Sequence, residues 1–169
     1  DVYLSANVDW MDWIVDQGGV DRAEVLDIAS NTLVLVSADG GSEVTIGAGT
    51  DMPALIGDER IAVGVIDSVP AGLYAADALQ TLGALEALRP QLAQADNVRA
   101  ALVLVARGEA QWGIVYNSDA KAEPRVAVRG RIDPNLHKPI LYLAAPVKES
   151  TKQDIASAFV AYLAASHSP

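Results

Sequence analysis

Apolar positions along the chain switch between short continuous runs and a helical spacing of three and four. Val2 to Ser5 opens as a short strand. Trp10, Trp13 and Ile14 fall at i, i+3, i+4, which predicts a helix with Asp9 as N-cap and Gly18-Gly19 as its end. Leu33-Val-Leu-Val36 is wholly apolar, the pattern of a strand covered on both faces. A glycine-rich polar stretch follows from Ala38 to Asp51, and Arg60 to Ile66 reads as the next strand. Ala75, Ala78, Leu79 and Leu82 then recur at helical spacing. Leu85, Leu88 and Leu92 extend the pattern into a short continuation, with Pro90 interrupting it or starting a turn. Val98, Ala101, Leu102 and Val105 predict another helix. Trp112 to Tyr116, Arg125 to Val128 and Ile140 to Ala144 predict strands. The last helix carries Ile155, Ala158, Phe159, Tyr162 and Leu163 on one face, with Ser150-x-x-Gln153 as its capping box. Strand and helix alternate, so the expectation is an α/β protein with largely parallel sheets. There is no internal repeat and no low-complexity tract.

Length and composition narrow the class. A chain of 169 residues makes one domain or two small lobes and buries roughly 70% of its unfolded surface. With 51% hydrophobic and 20% charged residues it is not a disordered chain. Twelve basic against twenty-two acidic residues give a net charge of −10, which repels nucleic acid and anionic lipid. Without cysteine there are no disulfides, thiolate metal sites or cysteine nucleophiles. His137 and His167 are the only histidines, too few for a histidine-rich metal centre. No apolar run approaches a membrane span, and no stretch is patterned as a signal peptide. Asp1-Val-Tyr-Leu-Ser-Ala6 reads as a strand from its first residue, so the expectation is a piece of a longer mature protein.

Enzyme motifs fail one by one. Gly47-Ala-Gly49 has neither the third glycine of a dinucleotide fingerprint nor the lysine of a P-loop. There is no nucleophile elbow and no zinc-protease helix motif. Ser118, Asp119 and His137 contain triad residue types, yet Ser-Asp after a strand is the ordinary chemistry of a turn. Asp58-Glu59 reads as a solvated turn, not a glycosidase pair. No enzyme is expected.

One constellation does suggest chemistry. The strand ending near Ile66 runs through Asp67-Ser-Val-Pro-Ala-Gly72 into a helix. Proline near the first helical position needs no N–H partner, and the N–H groups from Ala71 onward are left free. A second helix starts at Asp96-Asn97-Val98, where Asn97 can cap and the Val98 N–H and its neighbours are again donors. The Tyr116 hydroxyl stands at the end of a third element. In an open α/β sheet ligands bind at the carboxyl ends of strands, so two helix starts and a hydroxyl can form an anion pocket without a basic residue. The alternative is that these are ordinary capped helix starts facing solvent.

Ile61-Ala-Val-Gly64, Val69-Pro-Ala-Gly-Leu-Tyr-Ala75, Asn97-Val-Arg-Ala-Ala-Leu102 and Gly113-Ile-Val-Tyr-x-Ser-Asp-Ala120 closely resemble the periplasmic molybdate-binding proteins, the soluble substrate-binding subunits of molybdate ABC importers. Asp1 to Ala6, Trp10-Met-Asp12 and Asn31-x-Leu-Val-Leu-Val36 resemble the same family. The resemblance covers essentially the whole chain and is most specific between Ile61 and Ala120.

The resemblance implies the type 2 periplasmic binding protein fold, two α/β lobes joined by crossing strands, with the ligand in the cleft between them. It implies one lobe from residues 1–37 and 128–169 and a second from 38–127. Leu33–Ser37 would lead from the first to the second, and the chain would return after Ala120. It implies that molybdate or tungstate is bound by the backbone N–H groups of Ala71 and Val98 and by the Tyr116 hydroxyl. No cofactor and no protein-metal ligand are expected, and the partner is a membrane ABC permease served by a periplasmic monomer. Family members begin with two further strand-helix units carrying serine-bearing turns, and nothing here matches them. The first lobe is therefore expected to be incomplete. Ser166-His-Ser-Pro169 also stops short of the family's last turn, and Ser5 is not taken as a replacement ligand. Sulfate binding, or a ligand-sensing domain of a transcription regulator with the same fold, stays open as an alternative. Donors alone suit a dianion; phosphate keeps a proton and needs an acceptor as well. The net charge of −10 opposes the anion's approach, so local dipoles must outweigh the global field.

Overall fold

The structure is a computed structural model and describes residues 1–166; His167 and the rest of the C-terminal tail lie outside the described residues. In chain order the elements are β1 (Val2–Ser5), α1 (Val8–Asp16), β2 (Leu26–Ser30), β3 (Leu33–Ser37), β4 (Val44–Ile46), α2 (Met52–Ile56), β5 (Ile61–Gly64), α3 (Pro70–Thr81), α4 (Leu85–Leu88), β6 (Leu92–Ala95), α5 (Val98–Ala106), β7 (Trp112–Tyr116), α6 (Asn117–Ala122), β8 (Ala127–Ile132), β9 (Leu141–Pro146) and α7 (Gln153–Ala165). They fall into two units. One comprises Asp1–Ser30 together with the chain from Pro139 on; the other is Asn31–Lys138.

The first unit is built on a three-stranded sheet in the order β1-β9-β2, antiparallel throughout. The core around Met11, Val20, Leu143 and Ala145 is small. Asn7, not Asp9, caps α1: its side chain accepts the Trp10 N–H at 2.9 Å, and Asp9 lies inside the first turn. Met11 is the buried residue of that helix, whereas Trp10 and Trp13 stack edge to face at 6.2 Å and are about half exposed. The expected inward face of α7 is also turned round. Ala156 and Val160 are buried against the unit, while Ile155, Phe159 and Tyr162 point to solvent. The proposed capping box at its start does not form. Ser150 Oγ accepts the Lys152 N–H at 3.0 Å and donates to Asp1, and no side chain caps α7.

The second unit holds a six-stranded mixed sheet in the order β4-β8-β3-β7-β5-β6. All five residues of β3 are buried, as its unbroken apolar run requires, and β3 pairs antiparallel with both β7 and β8. Each fully buried aliphatic side chain of this strand contributes roughly 1.5–3 kcal/mol. Val34, Val36, Ala62, Ala101, Leu102, Val105 and Val115 form the core beneath α5. The expectation of largely parallel sheets holds only for β4 with β8 and for β5 with both β6 and β7; the first sheet and both pairings of β3 are antiparallel.

The expected lobe limits at 37 and 128 differ from these units. β3 and β8 are neighbours in the middle of the six-stranded sheet, so the division falls before Asn31 and after Lys138. The polar stretch from Ala38 contains a further strand, β4. Arg129 holds the turn ahead of it, its Nη1 donating to the carbonyls of Asp39 and Gly40 at 3.3 Å each.

Candidate functional site

Strands β7, β5 and β6 are adjacent and parallel, with Ile61 opposite Trp112 and Gly64 opposite Ala95. Their carboxyl ends therefore share one edge of the sheet. From β5 the chain passes through residues 65–69 into α3; from β6 it passes through Asp96 and Asn97 into α5; β7 ends on Tyr116 and continues as α6. Ala71 is the second residue of α3, Val98 the first of α5 and Tyr116 the last of β7. The three residues expected to bind an anion are thus brought to one edge, where ligands bind in open α/β sheets.

Local sequence leaves the two helix starts open. Val69 precedes Pro70 and offers no side-chain cap. The first helical bond runs from the Leu73 N–H to the Val69 carbonyl at 2.9 Å, so the N–H groups of Ala71 and Gly72 lie ahead of it. In α5 the cap is partial. Asn97 Oδ1 accepts the Ala100 N–H at 2.9 Å, and the Ala101 N–H reaches the Asn97 carbonyl at 3.1 Å. That leaves the N–H groups of Val98 and Arg99. Ala71 is 1% and Tyr116 5% exposed, so both lie in surroundings of low dielectric, where a hydrogen bond is stronger than in water.

Two details go beyond what the spacing of residues predicts. A Cβ added to Gly72 would overlap the carbonyl oxygens of Gly64 and Val65. The start of α3 is therefore pressed on the end of β5 more closely than any side chain permits; a glycine in a first helical turn was the signal. The other is Gln94, whose Oε1 accepts the Ile66 N–H at 3.0 Å. It lies in β6, where the spacing of Leu85, Leu88 and Leu92 predicts a continuing helix.

The connections at this edge carry Asp67, Asp96 and Asp119 on one side of the charge balance and Arg99 and Lys121 on the other. Arg99 is 87% exposed and pairs with Asp119 at 3.6 Å. At the far end of α6 the Arg125 guanidinium, donating to Glu123 at 2.8 and 2.7 Å, holds that carboxyl down at about 2. Ser118, Asp119 and His137 are not brought together as a triad. Ser118 accepts from Asn31 at 2.8 Å, Asp119 pairs with Arg99, and His137 Nδ1 lies 2.7 Å from the Lys138 carbonyl. Ser5 Oγ is used by Asn7, donating to its carbonyl at 2.7 Å. Among the described residues no group of three or more His, Cys, Asp or Glu is placed to hold a metal ion.

The family model for bacterial extracellular solute-binding proteins matches residues 1–167. The chain belongs to this family. A relative of this solute-binding protein, the molybdate-binding protein ModA of Escherichia coli, is 42% identical over 165 residues, covering 96% of this chain and 64% of that protein. The chain thus spans just under two thirds of that relative's length. The substrate binding domain of a putative molybdenum ABC transporter from Clostridium difficile is 32% identical with a TM-score of 0.73, over 97% of this chain and 70% of that one. The periplasmic molybdate-binding protein of Azotobacter vinelandii, 24% identical, shares the fold with a TM-score of 0.77, over 96% of this chain and 71% of that one. The fold is that of the type 2 periplasmic binding proteins, and the resemblance to molybdate-binding proteins read from the sequence stands.

Proposed function

We propose that this solute-binding protein binds molybdate or tungstate with main-chain N–H groups at the starts of α3 and α5 and with the Tyr116 hydroxyl, and delivers it to a membrane ABC permease. The observation that carries this reading is the meeting of Ala71, Val98 and Tyr116 at one carboxyl edge of parallel strands, with first-turn N–H groups unused by any cap. The molybdate-binding names of the relatives support the choice of anion. The donor set carries no formal charge, and of its members only the Tyr116 hydroxyl can also accept. It suits a fully deprotonated tetrahedral dianion better than a protonated phosphate, whose proton needs an acceptor. The protein acts as a monomeric binding component outside the cytoplasmic membrane, in the periplasm, without catalysis and without a resident cofactor. Its net charge of −10 argues against a nucleic-acid partner.

Thermal unfolding tests the reading. Molybdate or tungstate at a hundred times its dissociation constant is expected to stabilise the protein by about 2.7 kcal/mol. No shift with either anion overturns it.

A further inference from the structure

We propose that Gln94 is the positioning residue that fixes the spacing between the two amide-bearing helix starts, and that it thereby sets the size of oxyanion accepted. The proposal deepens the oxyanion reading and rests on it.

The strand ladder between β5 and β6 ends with Gly64 opposite Ala95 and the Val65 N–H on the Ala95 carbonyl at 2.9 Å. Beyond that point β5 leaves the sheet, and the next backbone donor, the Ile66 N–H, has no strand to meet. The Gln94 side chain supplies the missing acceptor. It reaches across from β6 and takes the Ile66 N–H at 3.0 Å, adding one rung after the ladder has stopped. The turn that follows is short and closed: the N–H groups of Ser68 and Val69 both return to the Val65 carbonyl, at 3.3 and 2.9 Å. Pro70 then fixes the entry into α3. Ile66 is the last residue tied to a neighbouring strand before Ala71. On its own strand Gln94 lies three residues before Asn97, the cap of α5. One side chain therefore links the segment that carries the Ala71 amide to the segment that carries the Val98 amide.

Sulfate and molybdate have the same charge and tetrahedral shape and differ in size. An array of fixed donors separates them only as far as its spacing is rigid. Slack in the Ile66 tether lets the donors close on the smaller anion and spoils their fit to the larger one.

The test compares Gln94→Met, Gln94→Asn and Gln94→Glu in the full-length protein, with molybdate and sulfate as calorimetric titrants. Methionine keeps the length and loses the acceptor; asparagine keeps the amide and loses the reach; glutamate keeps the acceptor. The ratio of sulfate to molybdate dissociation constants is expected to fall by about 3- to 10-fold in the Met and Asn variants. It should stay at the parent value in the Glu variant. The added charge acts alike on two dianions and cancels in the ratio, and a general loss of stability cancels too. Amide hydrogen exchange should show the Ile66 N–H losing protection in the Met and Asn variants only. Parent protein that binds molybdate, with variants of unchanged ratio, overturns this inference alone. Parent protein that binds neither anion overturns the oxyanion reading and this inference together.

Discussion

The two units each contain a nine-residue helix with nearly the same beginning, α1 in the first and α5 in the second. Each follows an asparagine in extended conformation, Asn7 or Asn97, whose Oδ1 accepts the N–H three residues on at 2.9 Å. Each then begins with valine. The next residue separates them: Asp9 in α1 and Arg99 in α5. Asp9 answers the positive end of its own helix. Arg99 puts a cation where the macrodipole disfavours one, and it is only loosely compensated by Asp119 at 3.6 Å. The settings differ as well. α1 leaves a strand of an antiparallel sheet, and α5 leaves the carboxyl end of a parallel strand. A capped helix start is common; one that carries Arg99 in place of an acid in its first turn, at such an edge, fits the proposed outside anion.

The units also differ in burial. Among the described residues the exposed large apolar side chains are Leu4, Trp10, Trp13, Leu26, Ile155, Phe159 and Tyr162 in the first unit and Val44 in the second. The largest expected effect follows from this. Leu35→Ala, at a fully buried position in β3, should cost about 2–5 kcal/mol in urea unfolding. Leu4→Ala, at a position 55% exposed, should stay within about 0.5 kcal/mol. Equal costs would break the contrast.

Glycines sharpen it. Gly72→Ala must move backbone at the start of α3, whereas a Cβ at Gly19 meets mainly the flexible tip of Ile14, at 2.8 Å. Gly72→Ala is expected to cost about 1–3 kcal/mol of stability and to weaken molybdate binding in calorimetry. Gly19→Ala should leave affinity unchanged.

The twin helix starts allow a matched pair of substitutions. Proline is tolerated at the first helical position and removes a single N–H. The preceding asparagines are already extended, as a residue before proline prefers. Val98→Pro should weaken molybdate binding by about 1.5–3 kcal/mol, the worth of a hydrogen bond to a charged group. Val8→Pro should not change it, and equal affinities for the two variants would remove α5 from the site. The smallest effect is expected of Tyr116→Phe, about 1–1.5 kcal/mol in the same titration, since one hydroxyl is lost while the ring stays in place.

Much of this was legible in residue order. Leu33 to Val36 reads as a strand covered on both faces, and Asn97 before an apolar helical repeat reads as a cap; both form as read. The proposed site residues could be picked out because helix starts and strand ends announce themselves locally. What failed had tertiary causes. The apolar residues of β6 continue the spacing of Leu85 and Leu88, so only pairing with β5 reveals a strand. The face of α7 was inverted because close packing on a sheet favours small Ala156 and Val160 over the large residues beside them. Gln94 carried no signal, since a lone glutamine on an edge strand gains meaning only from the turn it reaches.

The donor set of the proposed site has one further consequence. Peptide amides do not titrate. Acidification near neutrality therefore gives such a protein no chemical trigger for letting go. Under the proposed reading, the hold on the anion is loosened by drawing one donor away from another and not by a change of protonation.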